Sequence, residues 1–333
     1  MQPLVSIVIP AYNSALILPR AIESILRQDY SNFKIIIVDD HSDDDTRRVV
    51  ERYVLTDPRV NYFYLAKNSG PASARNAGVA AAKGELLAFL DADDEWMPDK
   101  LGKQVEFLLN NPGVDVVFSD CRNINTSNGV SKRLSEINGE FLSHLTLCAV
   151  SDYPDFFILN GPYRQEMYRK FFILISSVLM RRSDFDRING FAPNRFGTED
   201  IDFFVRLSSK ANFAYWYQEK VVRYQSDNGI SSIGEKWLKE LSQYHKMCLT
   251  SAEYEDLREI ARHNLLKIYR YLIVFYALKG MPAQAVRTFR ESLDLGFSTR
   301  LALFAFVSFA GPAPFRIGQW LTSFRLKSKK QLG

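Results

Sequence analysis

Four short runs rich in β-branched and other apolar residues, each followed by a stretch of helical periodicity, constrain this chain more than any other feature. They are Val5 to Ile9, Lys34 to Val38, Val60 to Leu65 and Leu86 to Leu90. Runs of this kind suit strands covered on both faces. Between them, Leu18, Ala21, Ile22, Ile25 and Leu26 repeat at helical spacing, as do segments from Asp44 to Leu55 and Ala72 to Ala82, and a further helix from Pro98 to Asn110 leads to a strand at Val114 to Phe118. Strands alternating with helices of roughly ten residues predict an α/β fold with a mostly parallel sheet and right-handed crossovers.

Downstream the pattern continues less regularly. Leu174 to Met180 reads as a strand, Ser183 to Ile188 as a short helix, and Glu199-Asp200 precede an amphipathic helix bearing Ile201, Phe204, Val205 and Leu207. Phe213 to Tyr217 and Lys220 to Tyr224 read as two strands, whereas Asp120 to Lys170 has no assignable periodicity. From Glu235 the signals are helical: Glu235–Leu249, Glu253–Lys279, Pro282–Leu293 and Thr299–Ala310. The expected division is a first domain over residues 1–230 and a helical C-terminal region over 231–333.

Composition narrows the class. With 47% hydrophobic and 24% charged residues the chain is globular in type. Its three cysteines, Cys121, Cys148 and Cys248, form neither a metal-ligand pattern nor a disulfide framework, as expected in a reducing compartment. The N-terminus lacks a basic region before its apolar run and reads as a first strand, not a signal peptide. The net charge of +4 is uneven: six basic residues and no acid follow Asp294, which leaves the preceding body slightly acidic. A nucleic-acid partner is therefore not expected. Residues 301–315 are uncharged but too short and proline-broken to span a membrane. They read either as a buried helix or as an interfacial one anchored by Trp320 and the basic tail.

The chemistry gathers at strand ends. Tyr12-Asn13 follows the first run, Asp39-Asp40 the second, and Asp91, Asp93, Asp94 and Glu95 the fourth. Parallel strands bring these ends to one sheet edge, the usual ligand crevice of α/β folds. Acids this dense repel one another unless water, a counter-charge or a cation intervenes. Asp91 and Asp93 can both reach a hard divalent cation carrying phosphates.

At this point the motifs resemble a known family. Val5-Ser6-Ile7-Val8-Ile9-Pro10-Ala11-Tyr12-Asn13, Ile37-Val38-Asp39-Asp40-His41-Ser42-Asp43-Asp44, Asn68 to Gly78, Phe89-Leu90-Asp91-Ala92-Asp93-Asp94 and Gly197-Thr198-Glu199-Asp200-Ile201-Asp202 are similar, in order and spacing, to family 2 glycosyltransferases of the Rossmann-like GT-A fold. The likeness covers about residues 4–225 and leaves out the helical C-terminus.

The resemblance implies an inverting, single-displacement transfer of a sugar from a nucleotide-diphosphate donor, UDP-linked by analogy. The acceptor would be a saccharide or lipid-linked saccharide in surface polysaccharide assembly. It places the donor against Pro10, Ala11, Tyr12, Asn13, Asp39, Arg75, Asp91 and Ala92, with Tyr12 stacking on the base and Asp39 accepting from it. Arg75 either reaches the diphosphate or forms a buried salt bridge. Asp93 would coordinate Mn²⁺ or Mg²⁺, and Asp200 would be the general base. Glu199 would orient the acceptor or simply begin its helix. Asp40 is expected to serve structure, and Asp94 and Glu95 to be solvated or helix-capping. No histidine stands at Arg223 to Ser232, where the family often supplies a further contact, which leaves Asp227 as a weak candidate. The glutamine–arginine–tryptophan signature of processive synthases is not found, so single additions are expected. The expected location is cytoplasmic, with the tail in peripheral contact with the membrane face. A non-catalytic nucleotide-sugar or carbohydrate-binding module of the same fold is the alternative.

Overall fold

The computed structural model describes residues 2–137, 144–195, 197–225 and 234–296. The chain divides into two compact units, Met1–Asp227 and Asn228–Gly333.

In the first unit, β1 (Val5–Ala11), β2 (Phe33–Asp39), β3 (Val60–Tyr64) and β4 (Leu86–Phe89) are parallel, in the spatial order β3-β2-β1-β4. The crossovers are α1 (Leu18–Leu26), α2 (Thr46–Thr56) and α3 (Pro71–Ala81). β1, β2 and β4 are largely buried on both faces, whereas β3, at the sheet edge, leaves Phe63 and Tyr64 exposed. Ile7, Ile9, Ile35 and Ile37 join one apolar cluster, and Val8, Ile36, Val38 and Phe89 join the other. This alternation explains why polar residues are few in the runs, since each such apolar side chain contributes about 1.5–3 kcal/mol on burial. Gly78 lets α3 lie close on β1; a Cβ there would come within 2.4 Å of Val8 Cγ1.

Beyond β4 the sheet is mixed. A short β5 (Asp94–Trp96) and α4 (Lys100–Asn110) lead to β6 (Val116–Asn125). The segment without readable periodicity forms β7 (Ser131–Arg133), α5 (Leu134–Ile137), β8 (Thr146–Val150), β9 (Tyr153–Asn160) and α6 (Tyr163–Arg169). The expected strand from Leu174 begins instead as a 3₁₀ turn, Ile175–Ser177, and only Val178–Arg181 forms β10. It runs antiparallel between β4 and β6. α7 (Arg182–Arg187) and α8 (Glu199–Leu207) precede β11 (Phe213–Gln225). The two strands expected here are one, with register shifts around Glu219. The irregularity that looked like a break is this bulge, where the Glu219 carboxylate pairs with Arg122 at 2.7 Å and Arg133 at 3.5 Å.

The second unit packs α9 (Glu235–Thr250), α10 (Arg258–Leu278) and α11 (Pro282–Leu293) around Leu238, Leu265, Ile268, Leu272, Ile273 and Ala285. A 3₁₀ turn, Ala252–Leu257, replaces the expected start of the second of these helices. Gly280, at φ +68°, closes α10 with hydrogen bonds from Gly280 N–H to Ala277 O and Met281 N–H to Tyr276 O. Among the described residues no helix is long and apolar enough to cross a membrane. The expected helix at Thr299–Ala310, the apolar segment 301–315, Trp320 and the basic tail lie outside the described residues.

Candidate active site

The parallel registers bring three strand ends to one edge: Ala11 lies beside Asp39, and Val8 beside Phe89. Pro10 and Ala11 are the last residues of β1, and Ala11 is buried. Tyr12 is 52% exposed and offers a free ring at the edge. Asn13 takes a left-handed φ of 48°. Its N–H donates to Ser42 Oγ at 2.9 Å, and its Oδ1 accepts from Asp43 N–H at 3.0 Å. These bonds knit the first loop to the second.

Asp39 has no exposed surface. Its carboxylate accepts from Ser42 N–H at 2.8 Å and from the Tyr62 hydroxyl at 2.7 Å. It therefore shapes its own turn, and a base N–H reaches it only where Tyr62 or that turn gives way. Asp40 accepts from Ser69 N–H and Gly70 N–H at 2.8 and 2.7 Å, fixing the turn that starts α3.

The acidic loop after β4 departs from expectation. Asp91, Asp93 and Asp94 can each bring one carboxylate oxygen within 4.8 Å of the others. Asp94 is buried, not solvated or capping, and its carboxylate accepts from the Ser176 hydroxyl at 2.5 Å. The same hydroxyl accepts from Asp91 N–H at 3.1 Å. Glu95 accepts from the Tyr224 hydroxyl at 3.1 Å and faces Arg27 at 3.5 Å, so it too is partnered and caps no helix. Desolvation, then repulsion from Asp91, raises the pKa of both Asp93 and Asp94, the latter well above the usual range. Ala92 is buried in the core beneath them. Arg20 Nη2 donates to the Asp93 carbonyl at 2.7 Å, and its guanidinium lies 3.7 Å from the Tyr224 ring centroid.

Arg75 joins this loop to the second acidic motif. The side chain is 3% exposed, with Nη2 at 2.6 Å from Asp91 Oδ1 and Nη1 at 3.1 Å from Asp200 Oδ1 and 3.8 Å from Glu199 Oε1. Of the two alternatives open from sequence, the salt bridge is what is seen. Burial works against its charge, but the carboxylates of Asp91, Asp200 and Glu199 outweigh that and hold the guanidinium protonated. Glu199 and Asp200 open α8. Burial pushes Asp200 up to about 7; Arg75 opposes the rise, while Glu199 and Asp91 add to it. Glu199 is also raised, chiefly by burial. Asp202, by contrast, is buried and bound to Arg206 at 2.8 Å; Arg206 also holds the Ile188 and Gly190 carbonyls.

The chain thus gathers Tyr12, Asn13, Arg75, Asp91, Asp93, Glu199 and Asp200 at one region and keeps Asp39 enclosed. Asp227 lies outside the described residues. Sequence reading missed Ser176, which stands in a run indistinguishable from a strand, and Asp94, whose charge suggested water.

Comparison with known proteins identifies the family and the fold. Glycosyltransferase GlyG of Streptococcus pneumoniae serotype 4 is 29% identical over 299 residues, covering 84% of this chain and 91% of its own length. Other bacterial relatives are 42–45% identical, but each match takes in only about a third of this chain and less than half of the relative's length. Among solved structures, S. aureus TarS 1-349 in complex with UDP-GlcNAc superposes with a TM-score of 0.60 at 18% identity, over 90% of this chain and 83% of that one. The mannosyltransferase PcManGT from Pyrobaculum calidifontis, in complex with GDP-Man and Mn²⁺, gives 0.58 at 17% identity, over 99% and 88%. At such identities the likeness establishes a shared fold. The glycosyl transferase family 2 model matches residues 6–188, more than half the chain, and the protein belongs to that family.

Proposed function

We propose that this chain is an inverting glycosyltransferase that moves a sugar from a UDP-linked donor to an acceptor hydroxyl in surface polysaccharide or lipid-linked glycan assembly. The observation that carries the reading is the Arg75 bridge, which sets Asp91 of the acidic loop and Asp200 of the α8 start on two nitrogens of one guanidinium. A single displacement needs donor and base held on separate elements about one reacting centre. The complexes of the fold relatives with UDP-GlcNAc and GDP-Man support a nucleotide-sugar donor.

The donor set of Asp91, Asp93 and Asp94 is all oxygen and close-spaced, which fits a hard divalent cation such as Mn²⁺ or Mg²⁺. When bound there, such a cation supplies Lewis-acid stabilisation of the diphosphate leaving group. Tyr12 stacks on the base, and Asp91 is placed for the ribose side. Asp200 accepts the proton of the acceptor hydroxyl as its oxygen attacks the anomeric carbon and the nucleoside diphosphate departs. Its pKa near 7 suits that task, because a base works best when poised near the operating pH. Glu199, on the same turn, orients the acceptor. Arg75 keeps Asp200 from rising further and acts through the carboxylates it holds.

The test is a panel of nucleotide sugars assayed for binding and slow hydrolysis with and without Mn²⁺. Cation-dependent turnover of a UDP-sugar is expected. Tight binding with no turnover or transfer by the intact protein, across saccharide and lipid-linked acceptors, would favour a binding module instead.

A further inference from the structure

One side chain beside Arg75 has no part in that chemistry yet makes a two-bond contact with the backbone of another element. Asn76 reaches from α3 to the loop ahead of α8. Its Nδ2 donates to the Phe191 carbonyl at 2.7 Å, and its Oδ1 accepts from Phe191 N–H at 3.0 Å. Two opposed hydrogen bonds to one residue's backbone fix its orientation as well as its place. The approach is close: Gly190 sits at φ +66°, and a Cβ there would lie 2.7 Å from Asn76 Oδ1.

What Asn76 holds is a buried ring. Phe191 is 1% exposed and stacks on Phe203 at a centroid separation of 4.0 Å. The Arg75 guanidinium carbon lies 5.4 Å from the Phe191 centroid. Phe203 stands three residues after Asp200 on α8. The locked ring therefore touches both the guanidinium and the helix that carries its carboxylate partner.

We propose that Asn76 is a positioning residue for transfer: by locking Phe191 against Arg75 and Phe203, it sets the contact between Arg75 and Asp200. The inference rests on Asp200 being the base. The charged groups facing Asp200 are Arg75 on α3, Glu199 on its own helix, Asp91 beyond β4 and Arg223 on β11. When Phe191 is loosened, Arg75 keeps its shorter contact with Asp91 at 2.6 Å and relaxes from Asp200 at 3.1 Å. Asp200 then loses part of its compensation against Glu199 and Asp91.

The experiment compares wild type, Asn76→Ala, Asn76→Asp and Asp200→Asn, using the nucleotide sugar that wild type turns over. Read-outs are UDP binding by calorimetry, kcat against pH and the denaturation midpoint. Asn76→Ala is expected to bind UDP within about twofold of wild type, lose roughly 10- to 100-fold in kcat, and shift the acidic limb of the profile to higher pH. Asn76→Asp keeps the acceptor for Phe191 N–H and is expected to fall between the two; it stands in if the alanine variant does not fold. A wild-type kcat and profile in a folded variant overturns the inference, as does a loss of kcat matched by an equal loss of UDP binding. If Asp200→Asn retains wild-type transfer, the base assignment itself fails, a result separable from any outcome at Asn76.

Discussion

Arg75 and Asp200 stand 125 positions apart in sequence and 3.1 Å apart in space, with the guanidinium almost wholly buried. An arginine enclosed this way is a structural keystone for the carboxylates around it. Removing one partner of a buried ion pair strands the remaining charges and costs about 3–5 kcal/mol. Arg75→Met should therefore lower the urea midpoint by that equivalent and raise the apparent pKa of Asp200. Arg75→Lys, a point charge that cannot span two carboxylates, should recover only part of the loss. A denaturation midpoint unchanged in Arg75→Met would show that the bridge is energetically idle.

Asp200 gives the reaction its expected pH dependence. A base with a pKa of about 7 in the free protein is protonated and inactive below that value, so kcat/KM should fall about tenfold per pH unit on the acid side and level off above. Asp200→Asn should keep UDP binding, lose roughly 10²–10⁴-fold in transfer, and leave a residual rate without the acidic limb. A pH–rate profile of both proteins decides the matter; an unchanged limb in the variant would assign the titration elsewhere.

These relationships were unevenly legible in the amino-acid sequence. The strands β1, β2 and β4 could be read because both of their faces are largely buried, which removes polar alternation. β3 could be read because its run is rich in aromatic and β-branched residues, although Phe63 and Tyr64 are exposed. The parallel edge then followed for Tyr12, Asp39 and Asp91. The direction of β10 could not be read, since an apolar run carries no sign for antiparallel insertion between β4 and β6. Asp94 was misread for a physical reason: charge argues for water, and it is the Ser176 hydroxyl, more than eighty positions away, together with the charge of Arg223, that makes its burial tolerable. Arg75 stood between two roles because an arginine at a helix start serves phosphate and carboxylate equally well. The meeting of α3 with the start of α8 is what brings the carboxylate role into view.

Asp93 is the acid of the loop with the most open surface, and Asp94 the most enclosed. Asp93→Ala should weaken Mn²⁺-dependent UDP binding by more than about 100-fold, since loss of an outer partner alone costs 10- to 100-fold. Asp94→Asn, which removes charge but keeps a hydrogen-bonding group beside Ser176, should weaken Mn²⁺ binding less and leave the fold intact. Calorimetric titration of UDP with and without Mn²⁺ tests both. Equal UDP affinity in Asp93→Ala and wild type would remove Asp93 from the metal site.

Tyr12 presents half its surface to solvent at the strand edge. Tyr12→Ala should weaken UDP binding by about 1–3 kcal/mol, the usual value of a base stacked on an aromatic ring, with no change in the denaturation midpoint. Binding of UDP compared with inorganic diphosphate isolates the contribution of the base. If both ligands weaken equally, the ring is not a stacking surface.

Gly78 tests how far the position of Arg75 depends on helix packing one turn away. A Cβ at this residue would lie 2.4 Å from Val8 Cγ1 and 3.2 Å from Val38 Cγ2, inside a core with no room to yield cheaply. Gly78→Ala gains up to about 1 kcal/mol of helix propensity. Overpacking costs about 1–3 kcal/mol, so the net effect should be destabilising. Because α3 must lift from β1 to relieve the contact, transfer should fall along with stability. Val8→Ala removes the methyl groups that clash, so the double variant should be more stable than the sum of the two single costs allows. Urea denaturation of the four proteins in this cycle measures the coupling, and strictly additive costs would mean that the close approach of α3 to β1 is not what requires glycine here.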